Sequence, residues 1–112
     1  MQELLNRQKD LQEKLGQPMG KGVPSLKENA YALIVEVTEV INEFNWKPWR
    51  KVHKKVERAK VVEEMADVLI FYMNMCNDLD ITEEELYETV KTKQEKVYDR
   101  FRAEVSKNST NC

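Results

Sequence analysis

The chain is poor in the residues that interrupt helices, with only 3 Gly and 3 Pro in 112 residues. Few turn residues and long charged stretches argue against a many-stranded β fold. The chain has a single His and 2 Cys, and neither Cys76 nor Cys112 looks like part of a disulfide framework or a metal-binding Cys cluster. No run reaches the roughly 18 apolar residues of a membrane span. The opening residues Met1-Gln-Glu-Leu-Leu-Asn-Arg lack the apolar centre of a signal peptide. A cytoplasmic protein with no membrane partner is expected, and the sequon Asn108-Ser109-Thr110 is read as chance. Charge of one sign is also lacking: the net value of -2 argues against a general nucleic-acid binder.

What is present is helical patterning. Residues 1–15 carry Leu4, Leu5, Leu11 and Leu15 in a charged helix, and the Gly- and Pro-rich stretch Gly16 to Pro24 reads as a loop. Ser25-Leu26-Lys27-Glu28 reads as a capping box that opens a second helix, running to about Phe44. Its apolar face comprises Ala30, Leu33, Ile34, Val37, Val40, Ile41 and Phe44. Asn45 to Arg50, with Pro48, ends that helix. A third helix begins between His53 and Lys60 and runs to about Leu79 through Val61, Val62, Met65, Val68, Leu69, Tyr72 and Cys76. Thr82 caps a fourth, running to about Val105 through Leu86, Val90, Val97 and Phe101, and residues 107–112 read as a disordered tail. The expected fold is all-α, a four-helix bundle in one domain over residues 1–106. A domain this small often completes its core by forming a homo-oligomer.

Two acidic pairs stand out, Glu36-x-x-Glu39 and Glu64-x-x-Asp67. Residues three apart are neighbours on one helix face. Most helical Glu are simply solvated. These pairs, however, border the apolar stripes, where a carboxylate wants a partner or a metal. If the two helices lie side by side, four carboxylates converge, and hard oxygen donors suit Mg²⁺ or Mn²⁺. Glu43 shares the face of Glu36, whereas Glu63 points farther away.

Between the pairs lies a basic block containing Lys47, Arg50, Lys51, Lys54, Lys55, Arg58 and Lys60. It is either a solvated surface or a clamp for phosphate oxygens, the usual task of Lys and Arg in phosphoryl transfer. Trp46 and Trp49 flank Lys47-Pro48. Each is either core or a flat surface on which a base stacks. Lys93, Lys96 and Arg100 form a basic stripe on the last helix. Asn74, two turns beyond Asp67 on the same side, either hydrogen-bonds a substrate or closes a buried polar contact. His53 is read as a surface residue.

Glu36-x-x-Glu39, Trp46 and Glu64-x-x-Asp67 together resemble the all-alpha nucleoside triphosphate pyrophosphohydrolases, the group of MazG-like proteins, dCTP pyrophosphatases and all-alpha dUTPases. Asn45-Trp46-Lys47-Pro48-Trp49 and Phe71-Tyr72-Met73-Asn74 look most like the dUTPase and dCTPase side. The resemblance covers residues from about 26 to 101. It implies Mg²⁺-dependent cleavage of a nucleoside triphosphate to monophosphate and pyrophosphate, with Glu36, Glu39, Glu64 and Asp67 as metal ligands and Trp46 beside the base. Lys93 and Arg100 match a basic pattern in which Val97 stands where relatives carry Asn.

The expected function is a house-cleaning dNTP pyrophosphohydrolase acting on dCTP or dUTP, assembled as a homodimer or a dimer of dimers. Glu39 is the candidate general base. Trp46, Trp49, Lys51, Phe71, Asn74, Lys93, Lys96 and Arg100 are candidate substrate contacts, and Phe71 and Asn74 are placed to meet the 2′ carbon of deoxyribose. The rival expectation is a non-catalytic helical module that senses nucleotides or joins a complex.

Overall fold

The computed structural model describes residues 1–15, 23–44, 47–51 and 55–110. The described residues form four α-helices and no strand: α1 Gln2–Lys14, α2 Val23–Asn42, α3 Arg58–Asp78 and α4 Glu83–Thr110. The all-α expectation is met. None of these helices is long and apolar enough to cross a membrane. The chain divides into two compact units, Met1–Ile81 and Thr82–Cys112.

In the first unit α3 is the central element, with α2 and α1 both lying against it. The second helix starts earlier than its capping pattern indicates. Val23 and Pro24 already belong to α2, consistent with the tolerance of a first helical turn for proline. Ser25 is therefore inside the helix, not its cap, and its hydroxyl donates to Asp78 Oδ1 at 2.7 Å. The rest of the Gly- and Pro-rich stretch, residues 16–22, lies outside the described residues.

The buried centre of this unit is small and largely polar. Leu5, Met73 and Cys76 are its buried apolar side chains among the described residues; Gln12, Ser25, Asn29, Asn74, Asn77 and Asp78 are its buried polar ones. The apolar stripes remain partly open. Ile34 on α2 is 61% exposed and Met65 on α3 is 56% exposed.

The end of α3 is a left-handed cap. Asp80 has φ 53, and the Ile81 amide reaches back to the Cys76 carbonyl at 2.8 Å. This is the six-to-one hydrogen bond of a Schellman ending. Asp takes that conformation more readily than most non-glycine residues, and Lys9 of α1 reaches the Asp80 carboxylate at 3.8 Å.

The second unit is a single long helix. Its first turn is capped as the sequence indicates: the Glu85 amide donates to Thr82 Oγ1 at 3.2 Å. Glu83, Glu84 and Glu85 occupy that turn, where carboxylates favour the positive end of the helix dipole. The helix continues past the expected end at Val105 as far as Thr110.

Candidate metal centre

The register of α2 against α3 brings three of the four motif carboxylates together. Glu36, Glu64 and Asp67 each offer an oxygen, and these oxygens all lie within 4.8 Å of one another. The i, i+3 spacing places Glu64 and Asp67 on one face of α3, and the α2–α3 contact supplies Glu36 from across the helix pair. All three are half-buried. Glu39 is not part of this triad. It is exposed, one turn further along α2, yet its charge is felt at Glu64.

That influence shows in the protonation of Glu64, whose pKa is raised above the ordinary glutamate value. Loss of hydration is the largest cause, followed by the negative charges of Asp67, Glu39, Glu36 and Glu43. Two carboxylates sharing one site resist simultaneous ionisation, and a cation relieves that repulsion. Three converging oxygens with no nitrogen or sulfur donor fit a hard divalent ion such as Mg²⁺ or Mn²⁺.

The other expected site residues have different settings. Phe71, one turn beyond Asp67 on α3, is half-buried. Asn74 is 2% exposed. Its Oδ1 accepts from Gln8 Nε2 at 2.9 Å, and its Nδ2 donates to Asn29 Oδ1 at 3.3 Å. Of the two roles open to Asn74 from sequence, the geometry gives it the buried polar contact.

Lys51 and Trp49 are exposed, Trp49 at 69%. Trp46 lies outside the described residues, as do Asn45, His53 and Lys54. In the second unit Lys93, Lys96 and Arg100 are all exposed on α4. Lys93 shares a recess on that helix with Val90, Gln94, Val97 and Tyr98.

Sequence reading overlooked the residues around Asn74. Asn29 Nδ2 donates to Asp78 Oδ2 at 2.8 Å and to the Ser25 carbonyl at 3.2 Å. Asn77 Nδ2 donates to the Leu5 carbonyl at 3.1 Å and to Gln12 Oε1 at 3.2 Å. A signal was present: Asn29 sits beside Ala30 on the apolar side of α2, and Asn74, Asn77 and Asp78 bracket Cys76 on α3. Polar residues in such positions are hydrogen-bonded when buried.

Comparison with the curated proteins and with the solved structures gave no match. A family model described as dUTPase, however, matches residues 1–111. That match takes in both acidic pairs and nearly the whole chain, so the chain belongs to the all-α dUTPase family, a group of nucleotide-hydrolysing enzymes.

Proposed function

We propose that the chain hydrolyses a pyrimidine deoxynucleoside triphosphate, dUTP or dCTP, to the monophosphate and pyrophosphate. The observation that carries this reading is the meeting of Glu36, Glu64 and Asp67 oxygens within 4.8 Å across two helices. Family membership supports the same reaction class. In this reading Glu36, Glu64 and Asp67 hold Mg²⁺, with Mn²⁺ as a substitute, and Glu39 completes the site from the next turn of α2. When bound, the ion neutralises the triphosphate oxygens.

The exposed carboxylate of Glu39 takes a proton from the attacking water. The water oxygen bonds to phosphorus, the bridging bond between the α- and β-phosphates breaks, and pyrophosphate leaves. Lys51, Lys93, Lys96 and Arg100 offer positive charge to phosphate oxygens. Trp46 and Trp49 offer stacking surfaces to the base, and Phe71 packs against the sugar. A second copy of the chain covers the exposed stripes of α2 and α3, giving a homodimer or a dimer of dimers.

A pyrophosphate-release screen over the common dNTPs with Mg²⁺ tests the reading. Release from dUTP or dCTP is expected, and it should fall to background in Glu36→Gln and in Asp67→Asn while both variants keep the helical circular-dichroism spectrum. Near-normal turnover in both variants would remove the carboxylate site.

A further inference from the structure

The contacts between α2 and α3 fix how the two helices run past each other. Ser25 meets Asp78, Asn29 meets Asn74, and Glu36 meets Asp67. Each step forward along α2, of four residues and then seven, is matched by an equal step back along α3. One further step of seven leads from Glu36 to Glu43 and from Asp67 to Lys60. Lys60 therefore stands at the end of the seam beyond the acidic triad, opposite Glu43, which lies just past the end of α2. The charge of Glu43 is among those felt at Glu64, in agreement with this register.

Along α3, Lys60, Glu64, Asp67, Phe71 and Asn74 follow one another at steps of three and four, so they share one face. At the helical rise Lys60 lies about 6 Å before Glu64, and Phe71 about 6 Å beyond Asp67. The two ends of this stripe differ in chemistry. Beyond Asp67 it offers the uncharged side chains of Phe71 and Asn74, and after Lys60 the helix carries no further Lys or Arg. The single Lys of α2 is Lys27, near the opposite end of the seam. Within the α2–α3 pair, Lys60 is thus the cation in line with the triad. Its partner in the free protein is weakly held. The ammonium reaches Glu57 Oε2 at 3.7 Å, and both side chains are more than half exposed. A long, solvated pair of this kind contributes little energy, whereas a phosphate accepts stronger, charge-assisted hydrogen bonds.

We propose that Lys60 is a substrate-binding residue for the departing pyrophosphate: the nucleotide lies along α3 with its sugar at Phe71, its reacting phosphate at the triad and its outer phosphates toward Lys60, which leaves Glu57 to meet them. The proposal rests on the pyrophosphohydrolase reading above and gives that site a direction. When the bond between the α- and β-phosphates breaks, its electron pair stays on the bridging oxygen, which departs with pyrophosphate. Lys60 keeps its protons throughout and stabilises that charge. Glu57 competes for the same ammonium and so helps pyrophosphate to leave.

The test is calorimetric binding of inorganic pyrophosphate and, separately, of dUMP to the full chain with Mg²⁺, so that no turnover is needed. Lys60→Gln should weaken pyrophosphate binding about tenfold, the scale of one hydrogen bond to a charged group, and leave dUMP unaffected. Lys60→Arg should keep most of the pyrophosphate affinity, because charge and donors remain. Glu57→Gln removes the competing carboxylate and should tighten pyrophosphate. Arg58, two residues before Lys60, lies off the stripe, so Arg58→Gln should have much the smaller effect. All four variants alter exposed side chains, and circular dichroism checks their helices.

Unchanged pyrophosphate affinity in Lys60→Gln would overturn the proposal. So would an equal loss in Arg58→Gln, which would reveal a diffuse basic field, or an equal loss of dUMP, which would remove Lys60 from the pyrophosphate end. Failure of the unmodified chain to bind pyrophosphate would overturn it too. The hydrolase reading fails on a different result, absence of pyrophosphate release from every nucleotide. The ratio of pyrophosphate affinities between the unmodified chain and Lys60→Gln would still decide the role of Lys60.

Discussion

Glu64 carries the cost of assembling the acidic centre. Its carboxyl holds a proton above the usual glutamate range, first through lost hydration and then through its acidic neighbours. The folded chain therefore binds this proton at pH values where the unfolded chain has released it. The contribution of Glu64 to stability falls as pH rises from the ordinary glutamate value through the raised one, because folding then confines an ionised group beside Asp67, Glu39 and Glu36. Thermal melts of the ion-free protein across that window should show this slope. Mg²⁺ should flatten it by raising the melting temperature most at the higher pH. Glu64→Gln should remove the slope and much of the response to Mg²⁺. A melting temperature indifferent to Mg²⁺ at every pH would argue against a cation site.

At the scale of the helix, α1 is joined to α3 by one fully buried leucine and a set of amides. Leu5 is 2% exposed whereas Leu11 is 50% exposed, although both sit at apolar positions of the same helix. The Asn77 side chain seals the arrangement by donating to the Leu5 carbonyl and to Gln12. The Gln12 Nε2 atom is left without a partner among the described residues. Leu5→Ala should destabilise the fold by about 2–5 kcal/mol, the range for emptying a buried leucine site. Leu11→Ala should cost well under half as much. Urea unfolding followed by circular dichroism separates the two, and equal losses would show that α1 is not held by Leu5. Helical periodicity made all four leucines of this segment look alike; their different burial follows from which side of α1 meets α3.

For the molecule as a whole, the exposed apolar residues are the main feature. Val35 and Ile34 on α2, and Val62 and Met65 on α3, are each more than half exposed, and Tyr98 and Phe101 on α4 are likewise open. Apolar patches of this kind mark interaction surfaces. With a second copy covering α2 and α3, light scattering after size exclusion should give at least twice the 13.2 kDa of one chain. Ile34→Glu should shift the protein toward monomer while keeping its helices, because a carboxylate is costly to bury in such an interface. A fully active monomer in the unmodified chain would refute the assembly.

Several features follow from sequence because they depend on local order. Helical periodicity, the Thr82 cap and the i, i+3 spacing of each acidic pair are set by residues within a few positions of one another. The same local pattern, together with the family resemblance, was enough to indicate an all-α nucleotide hydrolase. The tertiary structure decided what depends on residues far apart in the chain. The register of α2 against α3 selects Glu36, Glu64 and Asp67 as the converging triad and leaves Glu39 one turn outside it. The docking of α1 turns Asn74 from an open candidate into the middle of a buried relay that reaches from Gln8 to Asp78. Spacing along a helix fixes which side chains share a face, but only the packing of one helix on another fixes what that face meets.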